Sequence, residues 1–493
     1  MKNQQLLSVL AGLALLSACS SDDSPGTGTA GQSSTAGTAG SSVGTSGSST
    51  GGAGAAPSTG GSPSPTAGTT GTGGSGTAGT APTAGTGTGG VATGGTGSGG
   101  TATGGTATGG TGGGTGGATK WVATWAASPY LAASDAQPPV GLSNSVLRQV
   151  AHVSLGGSKI RVQFSNLVGD GAVNIKSAHI AISGSQTQAD GTINATTDKA
   201  ITFSGMETAT IAAKMELWSD PIDFAMMPLA NVSITTALGS VPTSLTAHAG
   251  SRTTSYVVAN STAVNGASLT SPQTTDHWYF ISGIDVMAPE TAKAAVAIGD
   301  SITDGRGTDT NKNNRWTDIL SQRLQANPAT ANVAMINQGI GATNLIGGGT
   351  GAETRFARDV LGQSGVAYAI VLDGVNDIHG GATADAMKAV YAKLIAAAKA
   401  KQVKIYGATI LPFGGSADYY STNAEATRVA VNTYIKSGVF DGVIDFDAAM
   451  SDGGNPPKLP DALAAWSQKD GLHPGPAGYQ KMGETPDLML FTK

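Results

Sequence analysis

Five short apolar runs in the C-terminal part of the chain decide most of what it can fold into. They read KAAVAIG (293–299), NVAMIN (332–337), AYAIVLDG (367–374), VKIYGATILPF (403–413) and DGVIDF (441–446). Each is apolar along most of its length rather than at every second residue, so as a strand it needs cover on both faces. Between the runs lie segments with helical spacing. RWTDILSQRLQAN puts Trp316, Ile319, Leu320 and Leu324 on one side of a helix, and ETRFARDVLGQ, ADAMKAVYAKLIAAAKAK and NAEATRVAVNTYIKSG read as three more. Strands alternating with helices predict a three-layer α/β/α domain around a parallel five-stranded sheet. Such sheets bind ligands beyond the C-terminal ends of their strands. Residues just past each run are therefore the first place to look for chemistry.

The rhythm is different upstream. From 120 to 288 apolar residues recur mostly with period two: Ile160, Val162 and Phe164 alternate with Arg161 and Gln163, and NVSITTAL and HWYFISGIDV are strand-like. This stretch predicts a β-rich, β-sandwich-like accessory domain, followed by the α/β domain over 289–493. The accessory domain is equally compatible with a carbohydrate-binding role and with a purely structural one.

The N-terminal fifth has no means of forming a core. From Ser24 to Thr119 there is no charged and no aromatic residue, and apart from Gln32, Val43 and Val91 the stretch is Gly, Thr, Ser, Ala and some Pro. Too little apolar area is available to offset chain entropy. Residues 19–119 read as a flexible tether with a span on the order of 50–60 Å. Residues 1–18 read as an export signal, with Lys2 before a short apolar stretch that ends in LSAC. LSAC resembles the lipobox of bacterial lipoproteins, which implies lipidation at Cys19, the single cysteine of the chain. By the same resemblance, Ser20 rather than Asp after it favours the outer membrane or cell surface. The expected membrane contact is this anchor alone. A net charge of −5, with no basic patch, excludes a nucleic-acid-binding surface of the usual kind.

Four polar segments fall at predicted strand ends or in the last loop. GDSITDG follows the first run, NQGIGATN the second, GVND the third, and QKDGLHPGPAGY lies near the C-terminus. A serine hydroxyl becomes a nucleophile when a neutral imidazole takes its proton, and a carboxylate on the other ring nitrogen fixes the tautomer. Ser301, His473 and Asp470 are the residue types required, with Asp470 three residues before His473. The developing oxyanion needs donors, and the Ser301 N–H, an N–H of the GIGA loop and the Asn376 amide are available. Asp300 and Asp304 flank the serine as turn organisers. His379 is a loop residue near Asn376. Arg306, Asn314 and Arg315 are open both to substrate contact and to ordinary loop chemistry. His152, His179, His248 and His277 are scattered without metal-ligand spacing, so neither a metal nor another cofactor is expected.

The ordered set GDSI, NQGIG, GVND and DGLHP resembles the signature blocks of the SGNH hydrolases, also called GDSL esterases or lipases. Within them it is most similar to secreted acylhydrolases associated with xylan degradation, through DGRGT, NNRW, GVNDI and WVATWAASP. The resemblance spans Trp121 to the C-terminus. It implies a flavodoxin-like sheet order, a catalytic triad of Ser301, Asp470 and His473, and an oxyanion hole of Ser301, Asn376 and a residue of the second block. The glycine usual at the sixth position of that block is here Ala342, with Gly341 one residue early, so either of these supplies the second donor. The expected function is an exported serine esterase acting on small acyl groups of polysaccharide. A lipase, arylesterase or thioesterase with the same mechanism and an inactive carbohydrate-binding lipoprotein are the alternatives.

Overall fold

The computed structural model describes residues 118–187, 190–464 and 470–492. The export signal, Cys19 and all but the last two residues of the tether lie outside the described residues.

The five apolar runs form one all-parallel sheet. Its order is Val333–Gly339, Lys293–Gly299, Val366–Leu372, Lys404–Ala408 and Gly442–Ile444, or 2-1-3-4-5 in chain order. The first strand lies inside the sheet, paired on both sides, and Ala294 to Ile298 are fully buried. This is the doubly wound arrangement in which the strand order reverses between the first and third strands, the usual place for a ligand. The fourth and fifth strands are shorter than their apolar runs, stopping at Ala408 and Ile444.

The predicted helices appear at Trp316–Ala326, Ala352–Asp359, Ala384–Ala400 and Thr422–Tyr434. Local chemistry sets their starts. Thr383 and Ser421 each accept a hydrogen bond from the backbone N–H three residues on, satisfying a donor that the helix leaves unpaired. The helices gather in two groups: Trp316–Ala326 packs on Pro476–Glu484, and Ala384–Ala400 packs on Ala352–Asp359 and Thr422–Tyr434.

Upstream, the period-two segments form antiparallel sheets. One contains Thr119–Ala126, Ile281–Pro289, Gly157–Ser165, Glu216–Trp218 and Ile222–Met226. A second, of seven strands, includes Ser145–His152, Asn231–Leu238 and Val173–Ile182, and a third joins Trp278–Tyr279, Thr246–His248 and Tyr130–Leu131. All eight residues of Asn231–Leu238 are buried, so that strand is covered on both faces.

The sequence boundary at 288/289 falls within one packed body. A single hydrophobic cluster includes Val122, Ile284, Val296, Ile370 and Phe491. Buried polar contacts cross the same boundary. Ser128 Oγ lies within hydrogen-bond distance of Gln338 Oε1 (2.5 Å) and Asp359 Oδ2 (2.8 Å), Met335 N–H donates to Ser154 Oγ (2.9 Å), and Ala123 N–H to the Ser364 carbonyl (2.9 Å). Polar groups paired this way in the interior hold one relative placement of the two regions, because any slippage would strand them away from water.

Candidate active site

Register brings three loops to one level. Gly299, the last residue of the first strand, is paired with Gly339 on one side and Leu372 on the other. Ser301, Ala342 and Asn376 therefore leave neighbouring strands at the same height. A side chain at Gly299 would fall 2.1 Å from the Leu372 carbonyl oxygen, so this close approach needs glycine.

The chain turns at Asp300 into the short helix Ser301–Asp304. Asp300 caps it by accepting the Ile302 N–H (2.9 Å), as its place in the sequence predicts. Ser301 is thereby held at the first helical position. Its Oγ lies 2.8 Å from His473 Nε2, and His473 Nδ1 lies 2.6 Å from Asp470 Oδ2. A carboxylate accepts only, so Nδ1 carries the hydrogen and Nε2 presents a lone pair to the serine hydroxyl.

The four residues from Asp470 to His473 make a tight turn. Asp470 Oδ1 accepts the N–H groups of both Leu472 and His473, each at 3.0 Å. Gly471 has φ +64°, and the helix Pro476–Glu484 starts immediately afterwards with proline at its first position. Burial works against the charge on Asp470, but the N–H groups of His473, its ring and Leu472 outweigh it and hold the carboxyl below the usual range. Burial pushes the His473 imidazole below its ordinary value. Asp470 opposes the shift, while Arg306 and Arg252 add to it. The imidazole is thus neutral and the carboxylate beside it ionised at neutral pH.

The oxyanion side separates the two alternatives that the sequence left open. Gly341 N–H donates to Asp304 Oδ2 (3.2 Å). Ala342 N–H has no acceptor among the described residues, and Ala342 has φ +59°, the left-handed conformation that glycine adopts freely. The Asn376 amide is pinned at both ends: Nδ2 donates to the Thr343 carbonyl (2.7 Å) and Oδ1 accepts from the Tyr419 hydroxyl (2.9 Å). One Nδ2 hydrogen is left over.

Acidic groups crowd beneath the serine. Asp300 and Asp373 are buried, and desolvation together with mutual repulsion pushes both carboxyls up; Asp377 adds to the repulsion and Arg355 opposes it. Arg355, itself buried, donates to the Gly299 carbonyl (2.9 Å) and the Gln338 carbonyl (2.5 Å), tying the first two strand ends together. Asp377 accepts the N–H groups of Leu345 (2.7 Å) and Ile346 (2.9 Å), which ties the third loop to the second.

Several residues take different places from those their sequence positions suggest. Arg315, open to a substrate role from sequence, is buried and donates to the carbonyls of Asp304 (3.0 Å) and Ser251. Asn314 bonds Asp309 within its own loop. His379 stacks on Tyr419 with ring centroids 4.3 Å apart. Asp304 does more than organise a turn, because His248 from the β-rich region reaches it at 2.9 Å. Tyr419 was not singled out by sequence reasoning, although it sits in the loop after the fourth strand, where the strand-end rule points. His248 and Arg355 carried no sequence signal, because their partners are 56 residues away or are backbone carbonyls.

Residues 297–481 match the model of the GDSL-like lipase/acylhydrolase family. That stretch is a GDSL-like lipase/acylhydrolase domain, and the protein is an ester hydrolase of the serine class. Among solved structures, the chain is similar to a GDSL-like lipase from Bacteroides thetaiotaomicron (20% identity, 39% of this chain and 85% of that one, TM-score 0.30). It is also similar to a member of the lipolytic protein G-D-S-L family from Veillonella parvula (19%, 41% and 100%, TM-score 0.30). A third is LAE5, an alpha/beta hydrolase enzyme from the metagenome of Lake Arreo (20%, 41% and 94%, TM-score 0.32). No curated protein matches the chain.

Proposed function

We propose that the protein is an exported, lipid-anchored serine esterase that removes small acyl groups from polysaccharide. Ser301 Oγ attacks the ester carbonyl while His473 Nε2 takes its proton. Asp470 keeps the Nδ1 hydrogen in place and stabilises the imidazolium. The oxyanion is bound by the N–H groups of Ser301 and Ala342 and by the free Asn376 Nδ2 hydrogen. His473 then passes its proton to the departing sugar hydroxyl. Water repeats the cycle on the acyl-enzyme, releasing the acid and restoring Ser301. The observation that carries this reading is the unbroken chain from Ser301 to His473 to Asp470, at 2.8 and 2.6 Å.

The choice of a carbohydrate ester rests on the surroundings of Asn376. Beside it lies a groove of about 390 Å³ bordered by His379, Asp418, Tyr419, Ser421 and Asn423. Aromatic faces among hydroxyl, amide and carboxylate groups suit a sugar ring better than a long acyl chain. The sequence resemblance to xylan-associated acylhydrolases and the N-terminal anchor point the same way.

The test compares the full chain with Ser301→Ala on p-nitrophenyl esters of increasing chain length and on acetylated xylan. We expect the substitution to cut kcat by at least ~10³-fold, short esters to react faster than long ones, and xylan to release acetate in a Ser301-dependent way. Activity surviving Ser301→Ala sinks the mechanism. A preference for long chains, or no release from xylan, retains the mechanism and removes the substrate. Cys19→Ser should free the protein from membranes, and continued attachment would refute the anchor.

A further inference from the structure

We infer that the β-rich region supplies a positioning residue to the active site: His248 acts through Asp304 to hold the loop that presents the Ala342 N–H. The inference rests on the esterase reading above.

The connection is a continuous run of hydrogen bonds. His248 Nδ1 lies 2.9 Å from the Ser128 carbonyl oxygen, and Nε2 lies 2.9 Å from Asp304 Oδ1. Both partner atoms are hydrogen-bond acceptors, and each lies within reach of one ring nitrogen. At 2.9 Å the second contact is of ordinary hydrogen-bond length. The other oxygen of Asp304 accepts Gly341 N–H, next to Ala342. His248 and Asp304 are 5% and 3% exposed, so water does not replace either partner readily. Burial opposes the charge on Asp304. His248, with Arg252 and Arg315 nearby, overcomes it and holds the carboxyl below its ordinary range.

The surroundings leave this carboxylate little freedom. A Cβ at Gly250 would fall 1.9 Å from Asp304 Oδ2, so the β-rich region presses a bare turn against it. Tyr130 and Trp278 flank the His248 ring, with centroids 5.6 and 5.8 Å away. Arg315 holds the Asp304 carbonyl from the other side.

The loop it supports needs support. Ala342 occupies a left-handed conformation without being glycine, and such strain persists only where the surroundings over-determine it. Four bonds do so. Ile340 N–H donates to the Gly299 carbonyl (3.0 Å), Gly341 N–H to Asp304, Thr343 Oγ1 to the Ile340 carbonyl (2.9 Å) and Asn376 Nδ2 to the Thr343 carbonyl. Only the Gly341 bond is anchored, through Asp304 and His248, in the β-rich region. Asp304 is also the last residue of the helix that starts at Ser301, so the same carboxylate ties nucleophile and oxyanion loop to one scaffold.

The experiment measures kcat, KM and melting temperature of the full chain on p-nitrophenyl acetate for four variants: His248→Ala, Asp304→Ala, the double variant and Asp304→Asn. Ser301→Ala is the control. Complete loss of an oxyanion donor costs ~10²–10³-fold in kcat. A loosened donor should cost about 10- to 100-fold, with KM changed less than about threefold. The double variant should be no slower than the slower single one, because both cut the same chain. Asp304→Asn should keep kcat within about fivefold of wild type. Its amide can donate to His248 Nε2 and accept from Gly341, a neutral version of the same connection. The inference is overturned if His248→Ala lowers the melting temperature but leaves kcat unchanged, or if Asp304→Asn is as slow as Asp304→Ala while both are folded. Should the alanine variants fail to fold, Asp304→Asn still decides: a folded protein more than 100-fold slower refutes the inference. Activity persisting in Ser301→Ala instead refutes the esterase reading.

Discussion

Gly471 sits between Asp470 and His473, the acid and base of the proposed triad, and offers the sharpest test of how the site is held. Its φ of +64° is unfavourable for any residue with a Cβ. A Cβ built there lies 2.2 Å from the Gly415 carbonyl oxygen, 2.3 Å from its carbon and 2.6 Å from Ser416 N. All three are backbone atoms, so no side chain can swing away. Relieving the overlap in Gly471→Ala requires a retreat of about 1 Å. The left-handed conformation adds ~1–2 kcal/mol and overpacking ~1–3 kcal/mol, so ~2–5 kcal/mol of stability should be lost. Either direction of retreat damages catalysis. Moving the 470–473 turn pulls Asp470 from the N–H groups of Leu472 and His473. Moving the Gly415–Ser416 segment shifts the start of the loop that carries Tyr419, which holds Asn376. Misplacement by about 1 Å costs on the order of 10²-fold in rate. The assay is kcat on p-nitrophenyl acetate beside a thermal melt, which should drop by a few degrees. A folded Gly471→Ala protein with kcat within threefold of wild type would falsify the claim that this glycine sets the triad geometry.

Two further outcomes follow from the site. For the wild type, kcat/KM should rise with pH along a single-proton limb whose midpoint lies below the ordinary imidazole value of 6.5, because the base must be neutral and burial lowers its pKa. Stability should fall as pH drops from that value toward the folded-state pKa, because the unfolded chain takes up the His473 proton first. A midpoint above 7 in the rate profile contradicts the assignment. Ala342→Gly should leave kcat within a few-fold of wild type. Relief of left-handed strain, ~1–2 kcal/mol, exceeds the added freedom of the unfolded chain, ~0.4–1 kcal/mol, so urea unfolding should shift slightly toward higher stability. A tenfold fall in kcat would show that the alanine methyl, and not only its N–H, is used.

Much of the site was legible before the fold because its chemistry is local. Asp470, Gly471 and His473 occupy one turn, and Asp300 caps the helix that begins at Ser301. The parallel sheet was legible for a related reason: residues buried on both faces of a strand must be apolar along its whole length, and a string of residues displays that. The supports were not legible. Arg355 acts on backbone carbonyls of two strands, Tyr419 lies 43 residues from Asn376, and His248 lies 56 residues from Asp304. No spacing rule links such pairs, because each becomes adjacent only when separate elements pack.

The same division explains the second oxyanion donor. The sequence by itself singled out Ser301, His473 and Asp470 as candidates and an all-parallel sheet as their scaffold, since those depend on residue type and short-range spacing; the strand order entered only through the family resemblance. It left Gly341 and Ala342 both open, for each has an N–H: Ala342 holds the position where the family usually has glycine, and Gly341 stands one residue early. Tertiary structure separated them. Asp304, buttressed by a histidine from the β-rich region, takes the Gly341 N–H and leaves that of Ala342 free. A hydrogen bond already made inside the protein cannot also be offered to a substrate, and only the packed structure shows which bonds are made.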